Sequence, residues 1–255
     1  MRELLGEDFS PWTEKACWAL NHHGIPYSFR QYQPMLDEPG LRLRTRNFRS
    51  KATVPVLFDD GGIYPDSFSI ARHAESLGGG SAPLFPEGHS EDVSAWNDRS
   101  EAALRAGRAL FLVRLAGDRA AQLDNLPPFV PRALRPALRP LVRSGIGYLR
   151  WKHGIDDGAV TYARTQLETA LNTLREALSR GSNYILGTFS YADVAMAVVC
   201  QFIQPVADRY IPLTPANRTC WTEDSLARSF EDILRWRDDV YTRHHRATST
   251  RTAVP

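Results

Sequence analysis

The chain has 255 residues, a hydrophobic share of 43%, and 31 basic against 29 acidic side chains. This composition fits one large or two small globular domains, and it excludes disordered, collagen-like and fibrous proteins. The net charge of +2 gives no overall attraction to nucleic acid. One segment breaks the balance, because residues 125–155 contain no Asp or Glu but several basic side chains: Arg132, Arg135, Arg139, Arg143, Arg150 and Lys152.

Cysteine usage and the N-terminus bear on the compartment. Cys17, Cys200 and Cys220 are odd in number and lack C-x-x-C spacing, which indicates neither a disulfide framework nor a thiolate zinc site. The histidines show no metal-ligand spacing either. There is no apolar signal core and no run of about 18 apolar residues, so we expect a cytoplasmic protein with no metal and no membrane span.

The first 80 residues alternate short strand and helix patterns. Strands are predicted at 3–6, 25–29, 54–58 and 63–65, and helices at 11–22, 42–48 and 67–77. The resulting order, βαβ-α-ββα, predicts a small mixed sheet with helices on its faces as a first domain at residues 1–80.

Strand patterns vanish after a linker at residues 81–89. Helical patterns cover 91–122, 161–178, 190–203 and 222–241, and residues 190–203 are apolar all round, which predicts a buried central helix. The prolines between 127 and 140 argue against one regular helix there. We therefore predict an all-helical domain at 90–241, followed by a flexible tail at 242–255.

Three features of the first domain each have a structural and a chemical interpretation. Ser10 either caps the first helix, or its hydroxyl donates to a bound thiolate beside the positive helix end. Val54–Pro55 opens a strand, either as an edge-strand trans bond or as a cis bond that turns the Val54 backbone toward a ligand. Asp66 and Ser67 either cap the third helix, or bind the ammonium and carboxylate groups of a ligand.

In this order, the three features resemble the soluble glutathione S-transferase family, and in particular a serine-type, bacterial-looking member. Ser10-Pro-Trp-Thr resembles the opening of that family's first helix, and Val54-Pro55-Val-Leu its cis-proline strand. Asp66-Ser67 resembles its acidic–serine pair for the γ-glutamyl end of glutathione.

A fourth segment, residues 184–193, resembles the family's helix-capping motif in the helical domain. Ser190 and Asp193 would there satisfy each other's backbone amides at the start of the buried helix. By the resemblance, Ser190, Asp193 and Pro55 are structural residues.

The resemblance implies a thioredoxin-like first domain that binds glutathione as co-substrate, and an all-helical domain that supplies the electrophile pocket. Ser10 would activate the thiol, and Val54 would pair with the cysteinyl backbone. Lys51 is the first choice for binding the glycyl carboxylate, with Arg44 and Arg49 as alternatives.

Residues 125–155 have two interpretations. They are a solvated insertion, or they cover the electrophile pocket, which Phe129, Tyr148 and Trp151 would line together with Trp12. In the second case the arginines would attract an acidic substrate. The prolines weigh against a membrane-surface helix.

The function implied is a homodimeric glutathione transferase, of the kind used in detoxification, which activates glutathione as thiolate for attack on an apolar or acidic electrophile. A free thiol with a pKa of ~8.5 is only about 3% ionised at pH 7, so activation is needed. Ser10 in place of Cys argues against a thiol–disulfide reductase. A non-catalytic glutathione or ligand binder, and a glutathione-dependent isomerase, ether-cleaving lyase or dehalogenase, remain open.

Overall fold

The computed structural model describes residues 2–78, 82–126, 130–245 and 252–253. Within these ranges one mixed sheet has the strand order β4-β3-β1-β2-β5. β1 pairs in parallel with β2, whereas β3 runs antiparallel to both β1 and β4. The strands are β1 (Glu3–Gly6), β2 (Ser28–Gln31), β3 (Val56–Asp59), β4 (Gly62–Tyr64) and β5 (Thr252–Ala253).

Three helices belong to the first domain and the others to the second. The first three are α1 (Pro11–His22), α2 (Glu38–Thr45) and α3 (Ser67–Leu77). The second domain contains α4 (Ser90–Gly117), α5 (Arg119–Asp124), α6 (Arg135–His153), α7 (Asp157–Leu178), α8 (Tyr191–Ala197), α9 (Pro215–Trp221), α10 (Asp224–Ser229) and α11 (Glu231–His244). A short 3-10 helix, Val198–Phe202, continues α8.

The predicted fold class, a thioredoxin-like α/β domain followed by an all-helical domain, is confirmed. In the first domain β1, α1 and α3 have the predicted bounds, while β2 and α2 are displaced by a few residues. β2 begins late because the Ile25 amide still bonds the Leu20 carbonyl and so closes the end of α1. None of the helices described is long and apolar enough to cross a bilayer.

The helical domain differs from the prediction at three places: two predicted helices are broken, and the proline-rich segment is helical. The pattern at 91–122 is two helices, because the Asp118 side chain accepts a hydrogen bond from the Ala121 amide and starts α5. The pattern at 222–241 is also two helices, separated at Phe230. The proline-rich segment is helical from Arg135: Pro136 lies in the first turn, where no amide donor is needed, whereas Pro140 lies inside the helix and removes one amide donor from it.

Of the linker predicted at 81–89, the described residues 82–89 include a part that is buried between the two domains. Leu84 is fully buried, and its carbonyl accepts a hydrogen bond from the Tyr191 amide at 2.7 Å. The Phe85 ring stacks on the Tyr191 ring, and the Tyr191 hydroxyl donates to the Ser67 carbonyl at 3.2 Å. The first turn of α8 therefore connects the linker to the first turn of α3.

The segment predicted as a flexible tail, 242–255, is anchored where it begins. α11 extends to His244, and His245 Nε2 lies 2.9 Å from Glu14 Oε1 of α1. The His245 ring also stacks on Tyr241 and meets the edge of Trp18. Residues 252–253 add β5 beside β2. Aromatic and polar contacts thus tie His245 to α1 of the first domain.

Candidate active site at the sheet edge

Three predicted site segments lie at one edge of the sheet. Ser10 follows the end of β1, Val54 and Pro55 precede the start of β3, and Asp66 and Ser67 follow the end of β4. Because β3 runs antiparallel to β1 and to β4, these ends meet at the same edge. α1 and α3 both begin there, so the positive ends of two helix dipoles lie at that edge, which favours an anionic ligand.

The Ser10 hydroxyl is not used for capping. Ser10 is the N-cap residue of α1, yet its side chain makes no capping hydrogen bond. The residue is only 7% exposed. Its amide donates to the Glu7 carbonyl at 3.0 Å and its carbonyl accepts from the Glu14 amide at 2.9 Å. The backbone therefore fixes Ser10 in place, and the hydroxyl remains available to another partner.

The turn before Ser10 depends on a close approach between Gly6 and Thr13. A Cβ on Gly6 would lie 2.6 Å from the Thr13 methyl group, so only glycine fits without displacement. The Thr13 hydroxyl accepts a hydrogen bond from the Glu7 amide at 3.1 Å. This packing sets the path of the chain from β1 into α1.

The Val54–Pro55 peptide bond is cis, which is the second of the two predicted alternatives for this bond. Pro55 is buried, whereas Val54 stays partly exposed. Val54 is thus the accessible residue of this pair.

Asp66 has a capping role that leaves part of the carboxylate unused. Its Oδ1 accepts from the Ser69 amide at 2.8 Å, and the Asp66 amide donates to Ser69 Oγ at 3.3 Å. The side chain is exposed, and its second oxygen takes no part in this box. Ser67 is buried beside it at the first helical position.

The three basic candidates for a carboxylate differ in their surroundings. Arg44 donates to Glu3 Oε1 at 2.5 Å, and its guanidinium lies 3.7 Å from the centroid of the Phe58 ring. Glu3 begins β1, so Arg44 is held at the opposite end of that strand from Ser10. Lys51 and Arg49 are exposed in the loop before Val54.

Trp12 lies at the contact between α1 and α4, within a buried polar cluster. Its indole nitrogen donates to Glu101 Oε2 at 2.8 Å. Lys15 Nζ donates to Glu101 Oε1 at 2.6 Å and to Asn97 at 3.2 Å. Burial lowers the pKa of Lys15, although the Glu101 carboxylate opposes that change. The cluster was missed in the sequence because its members are far apart along the chain.

The basic helix α6 is attached to α2 through Glu38. Tyr148 Oη and Lys152 Nζ donate to Glu38 Oε2 at 2.6 and 2.8 Å, and Arg42 donates to Glu38 Oε1 at 2.8 Å. Burial acts to raise the pKa of Glu38, but these hydrogen bonds outweigh it and hold the pKa at about 2. The segment is therefore more than a solvated insertion, because it bridges to the first domain.

The predicted lining of the electrophile pocket is corrected at one position. Trp151 is 77% exposed and lies on the solvent side of α6, because Ile146 and Lys152 occupy the inner face. Tyr148 is engaged with Glu38, and Phe129 lies outside the described residues.

Two charged residues near Ser10 were missed in the sequence. Burial, with Asp8 next to it, raises the pKa of Glu7 to about 7. The Arg108 guanidinium of α4 lies 4.8 Å from the centroid of the Trp12 ring. Glu7 could have been noticed because it is three residues before Ser10, whereas nothing in the arginine-rich sequence distinguishes Arg108.

Comparison with known proteins agrees with this geometry. Residues 9–77 match the family model of the glutathione S-transferase N-terminal domain. No curated protein matches the chain. Among solved structures, the beta-etherase LigF from Sphingobium sp. strain SYK-6 aligns with a TM-score of 0.63 at 15% identity, covering 95% of both chains.

Two further solved structures cover nearly the whole chain. Glutathione transferase GSTFuA2 from Phanerochaete chrysosporium has a TM-score of 0.60 and 18% identity over 96% of this chain and 98% of its own. A glutathione transferase family member from Pseudomonas fluorescens Pf-5, with bound glutathione, has a TM-score of 0.59 and 16% identity over 100% of both chains. The resemblance to the glutathione S-transferase family is thus confirmed: residues 9–77 match the model of that family's N-terminal domain, and the chain has the fold of the solved glutathione transferases.

Proposed function

We propose that this chain is a glutathione transferase that activates the glutathione thiol as a thiolate, for attack on an apolar or acidic electrophile. The observation that carries the proposal is the Ser10 hydroxyl, which is left out of the cap of α1 at the positive end of that helix. The match to the N-terminal domain model and the glutathione-bound neighbours support glutathione as the co-substrate.

Each end of glutathione has a proposed partner at the sheet edge. Val54 pairs through its backbone with the cysteinyl residue. Asp66 binds the γ-glutamyl ammonium group with its unused carboxylate oxygen, and Ser67 binds the neighbouring carboxylate. Lys51 is the proposed partner of the glycyl carboxylate, since Arg44 is already paired with Glu3.

The stabilisation needed to ionise the glutathione thiol does not require a general base. Lowering a thiol pKa by ~2 units requires roughly 2.7 kcal/mol of preferential stabilisation of the thiolate. A hydroxyl hydrogen bond to a charged sulfur contributes ~1.5–3 kcal/mol, and a helix N-terminus adds ~0.3–1 kcal/mol. Ser10 together with α1 therefore accounts for the required stabilisation.

In the proposed reaction the thiol proton passes to solvent as the sulfur binds to Ser10. The thiolate then forms a carbon–sulfur bond, and the bond to the leaving group breaks with its electron pair on that group. Reduction of disulfides is not proposed, because Ser10 occupies the position where such members carry Cys. Cys17 is buried further along α1.

The experiment combines glutathione-affinity retention with a conjugation assay using chlorodinitrobenzene and other electrophiles. Retention with conjugation supports the proposal. Retention without any conjugation identifies a non-catalytic glutathione binder, and failure to bind glutathione at all overturns the proposal. Release of the leaving group without a stable conjugate would indicate ether cleavage or dehalogenation on the same site.

We also propose a homodimer, from the family resemblance. An open groove of about 340 Å³ runs along the outward side of α4 and α7, lined in part by Arg99, Ala102, Tyr162 and Thr165. Tyr162 is 68% exposed beside it, and a second copy would cover this surface. Light scattering coupled to size-exclusion chromatography tests the assignment, and a monomeric mass would contradict it.

A further inference from the structure

Arg108 is a half-buried cation without a direct polar partner. Its Nε is shielded from solvent and has no hydrogen-bond partner, while the residue as a whole stays partly exposed. Neither a hydrogen bond nor an ion pair joins its guanidinium to another residue of the described ranges. Its guanidinium carbon lies over the face of the Trp12 ring, 4.8 Å from the ring centroid.

Such an arrangement opposes folding. A guanidinium nitrogen that is shielded from water and left without a hydrogen-bond acceptor, as Arg108 Nε is, loses hydration that nothing replaces. Stacking on Trp12 offsets only part of that loss. The acidic groups whose charges act on the pKa of Arg108 are Glu101 and Glu7. Glu101 already accepts hydrogen bonds from Trp12 and Lys15. An unpartnered cation of this kind indicates a site completed by a ligand.

The location of Arg108 specifies which ligand this would be. Trp12, on which it stacks, is two residues after Ser10 in the first turn of α1. Tyr32 precedes the loop to α2, and its buried hydroxyl also lacks a hydrogen-bond partner. Tyr32 and Arg108 both interact electrostatically with Glu7. Two unsatisfied polar groups therefore lie near Glu7, which is three residues before Ser10 in the chain.

Positive charge at the end of α6 also indicates that the ligand near Arg108 is an anion. Burial lowers the pKa of His153, at the end of α6, and the charges of Arg108, Lys152 and Lys51 lower it further, so three cations lie near this residue. Lys152 is paired with Glu38, but Arg108 is not paired. The positive potential here favours an anionic group on the electrophile.

We propose that Arg108 binds the carboxylate of an aryl-carboxylate electrophile, whose ring packs against Trp12. This inference rests on the proposed glutathione transferase function and names the substrate class for that site. Arg108 is a specificity residue: it holds the carboxylate while the thiolate attacks the ring. The planar guanidinium suits a carboxylate, with which it forms two parallel hydrogen bonds.

The matched probes are para-chloro-dinitrobenzoate and its methyl ester, which differ in charge but react in the same way. The glutathione thiolate forms a carbon–sulfur bond at the chlorinated ring carbon, and chloride leaves with the electron pair of the carbon–chlorine bond. The thiol proton goes to solvent, and no oxidant or reductant takes part. The ratio of kcat/KM for the acid to that for the ester isolates recognition of the carboxylate.

The kinetic experiment compares the parent protein with Arg108→Gln and with Arg105→Gln as control. Arg105 is one turn earlier on α4, and its side chain is 60% exposed, so the control removes the same formal charge from a solvated position. We expect Arg108→Gln to lower the acid-to-ester ratio roughly 10- to 100-fold, the range for losing a charge-assisted pair. We expect Arg105→Gln to change the ratio by less than about 3-fold.

Two readouts separate this role from a structural one and from failure of the proposed function. Dinitrobenzoate, which has no leaving group, is titrated by calorimetry, so its Kd is measured without turnover. Thermal melting compares stability, and removal of an unsatisfied cation should leave the Tm of Arg108→Gln equal or higher.

Weaker dinitrobenzoate binding to Arg108→Gln, with an equal or higher Tm, supports the proposal even if neither chloro compound is conjugated. The same Kd in both proteins overturns it. So does a lower Tm accompanied by equal losses on acid and ester, because that result would assign Arg108 to packing.

Discussion

The N-cap residues of α1 and α8 are both serines, Ser10 and Ser190, and the two serines are used differently. Ser190 starts α8, where its amide and its hydroxyl both donate to Asp193 Oδ2 at 2.9 and 3.0 Å. Ser10 starts α1, where the residue three positions later is Thr13, whose hydroxyl accepts from the Glu7 amide instead. The residue at the third helical position therefore decides whether the N-cap hydroxyl is consumed by folding or left for a ligand.

The surroundings of the two serines differ in the same sense. Around Ser190, the second Asp193 oxygen accepts from the Ile185 amide at 2.9 Å, so the buried carboxylate is fully engaged. Around Ser10, Arg108 Nε and the Tyr32 hydroxyl have no hydrogen-bond partner. Two unsatisfied polar groups thus lie beside the proposed active site, where a ligand would satisfy them, whereas none is found at the cap of α8 among the described residues.

The largest expected effect is at Asp193. Asp193→Ala removes the acceptor of three hydrogen bonds and leaves the amides of Ser190 and Ile185 buried without partners. We expect the free energy of unfolding to fall by about 3 kcal/mol or more. Urea unfolding measures the loss, and the glutathione affinity of the remaining folded protein should be unchanged. A loss below about 1 kcal/mol would contradict the proposed folding role.

Ser10→Ala should produce the opposite pattern, a change in activity with little change in stability. No capping hydrogen bond is lost, but one to the bound thiolate is, at ~1.5–3 kcal/mol. We expect turnover to fall roughly 10- to 150-fold with little change in glutathione affinity. Steady-state kinetics and urea unfolding are measured together. Unchanged turnover would shift attention to Thr13 or to a backbone amide.

Glu7→Gln tests whether the region around Ser10 carries a buried, poorly compensated charge. The pKa of Glu7 rises from its ordinary 4.5 to about 7 on folding. Below pH 4.5 the carboxyl group is neutral in both states and has no cost, whereas above about pH 7 it is charged in both and destabilises the folded state. The stability contributed by the neutral carboxyl group is therefore lost as the pH rises through this window.

We accordingly expect Glu7→Gln to match the parent at pH 4 and to be more stable at pH 8 by about 1–3 kcal/mol. Thermal or urea unfolding across this pH range measures the difference. A variant that is equally destabilised at both pH values would show that Glu7 is a packing residue.

The smallest effect is expected at Ser190. Ser190→Ala removes the hydroxyl donor to Asp193 but keeps the bonds from the Ser190 and Ile185 amides. We expect a loss of about 1 kcal/mol in unfolding free energy and no change in turnover. Ser190→Ala is thus the matched control for Ser10→Ala. A drop in turnover of Ser190→Ala would contradict the proposed difference between the two serines.

Local patterns predicted the elements that carry the candidate site. The bounds of α1 and α3 follow from their caps, Ser10 and Asp66, and from an apolar face, all of which are readable over a dozen residues. The sequence could not decide whether the Val54–Pro55 bond is cis or trans, because a strand that starts with proline is compatible with either isomer. The structure shows the cis isomer.

Long-range pairing explains what could not be predicted. Glu38 and Lys152 are 114 residues apart, and no local pattern links α2 to α6. Arg108 is one of many arginines, and its lack of a polar partner depends on how α1 and α4 pack. The prediction that Trp151 lines the electrophile pocket was wrong, because its orientation depends on which face of α6 contacts the rest of the protein. The proposed binding region for the electrophile is built from such long-range contacts, so its residues are the hardest part of the protein to predict from the sequence.

The ionisation of bound glutathione tests the central claim most directly. The ultraviolet absorbance of the thiolate is titrated against pH in the complexes of glutathione with the parent protein, with Ser10→Ala and with Ser190→Ala. If the uncommitted Ser10 hydroxyl stabilises the thiolate, the bound thiol should ionise ~2 units below its free value of ~8.5 in the parent and in Ser190→Ala. Ser10→Ala should raise that pKa by ~1–2 units. An identical pKa in all three complexes would contradict the account.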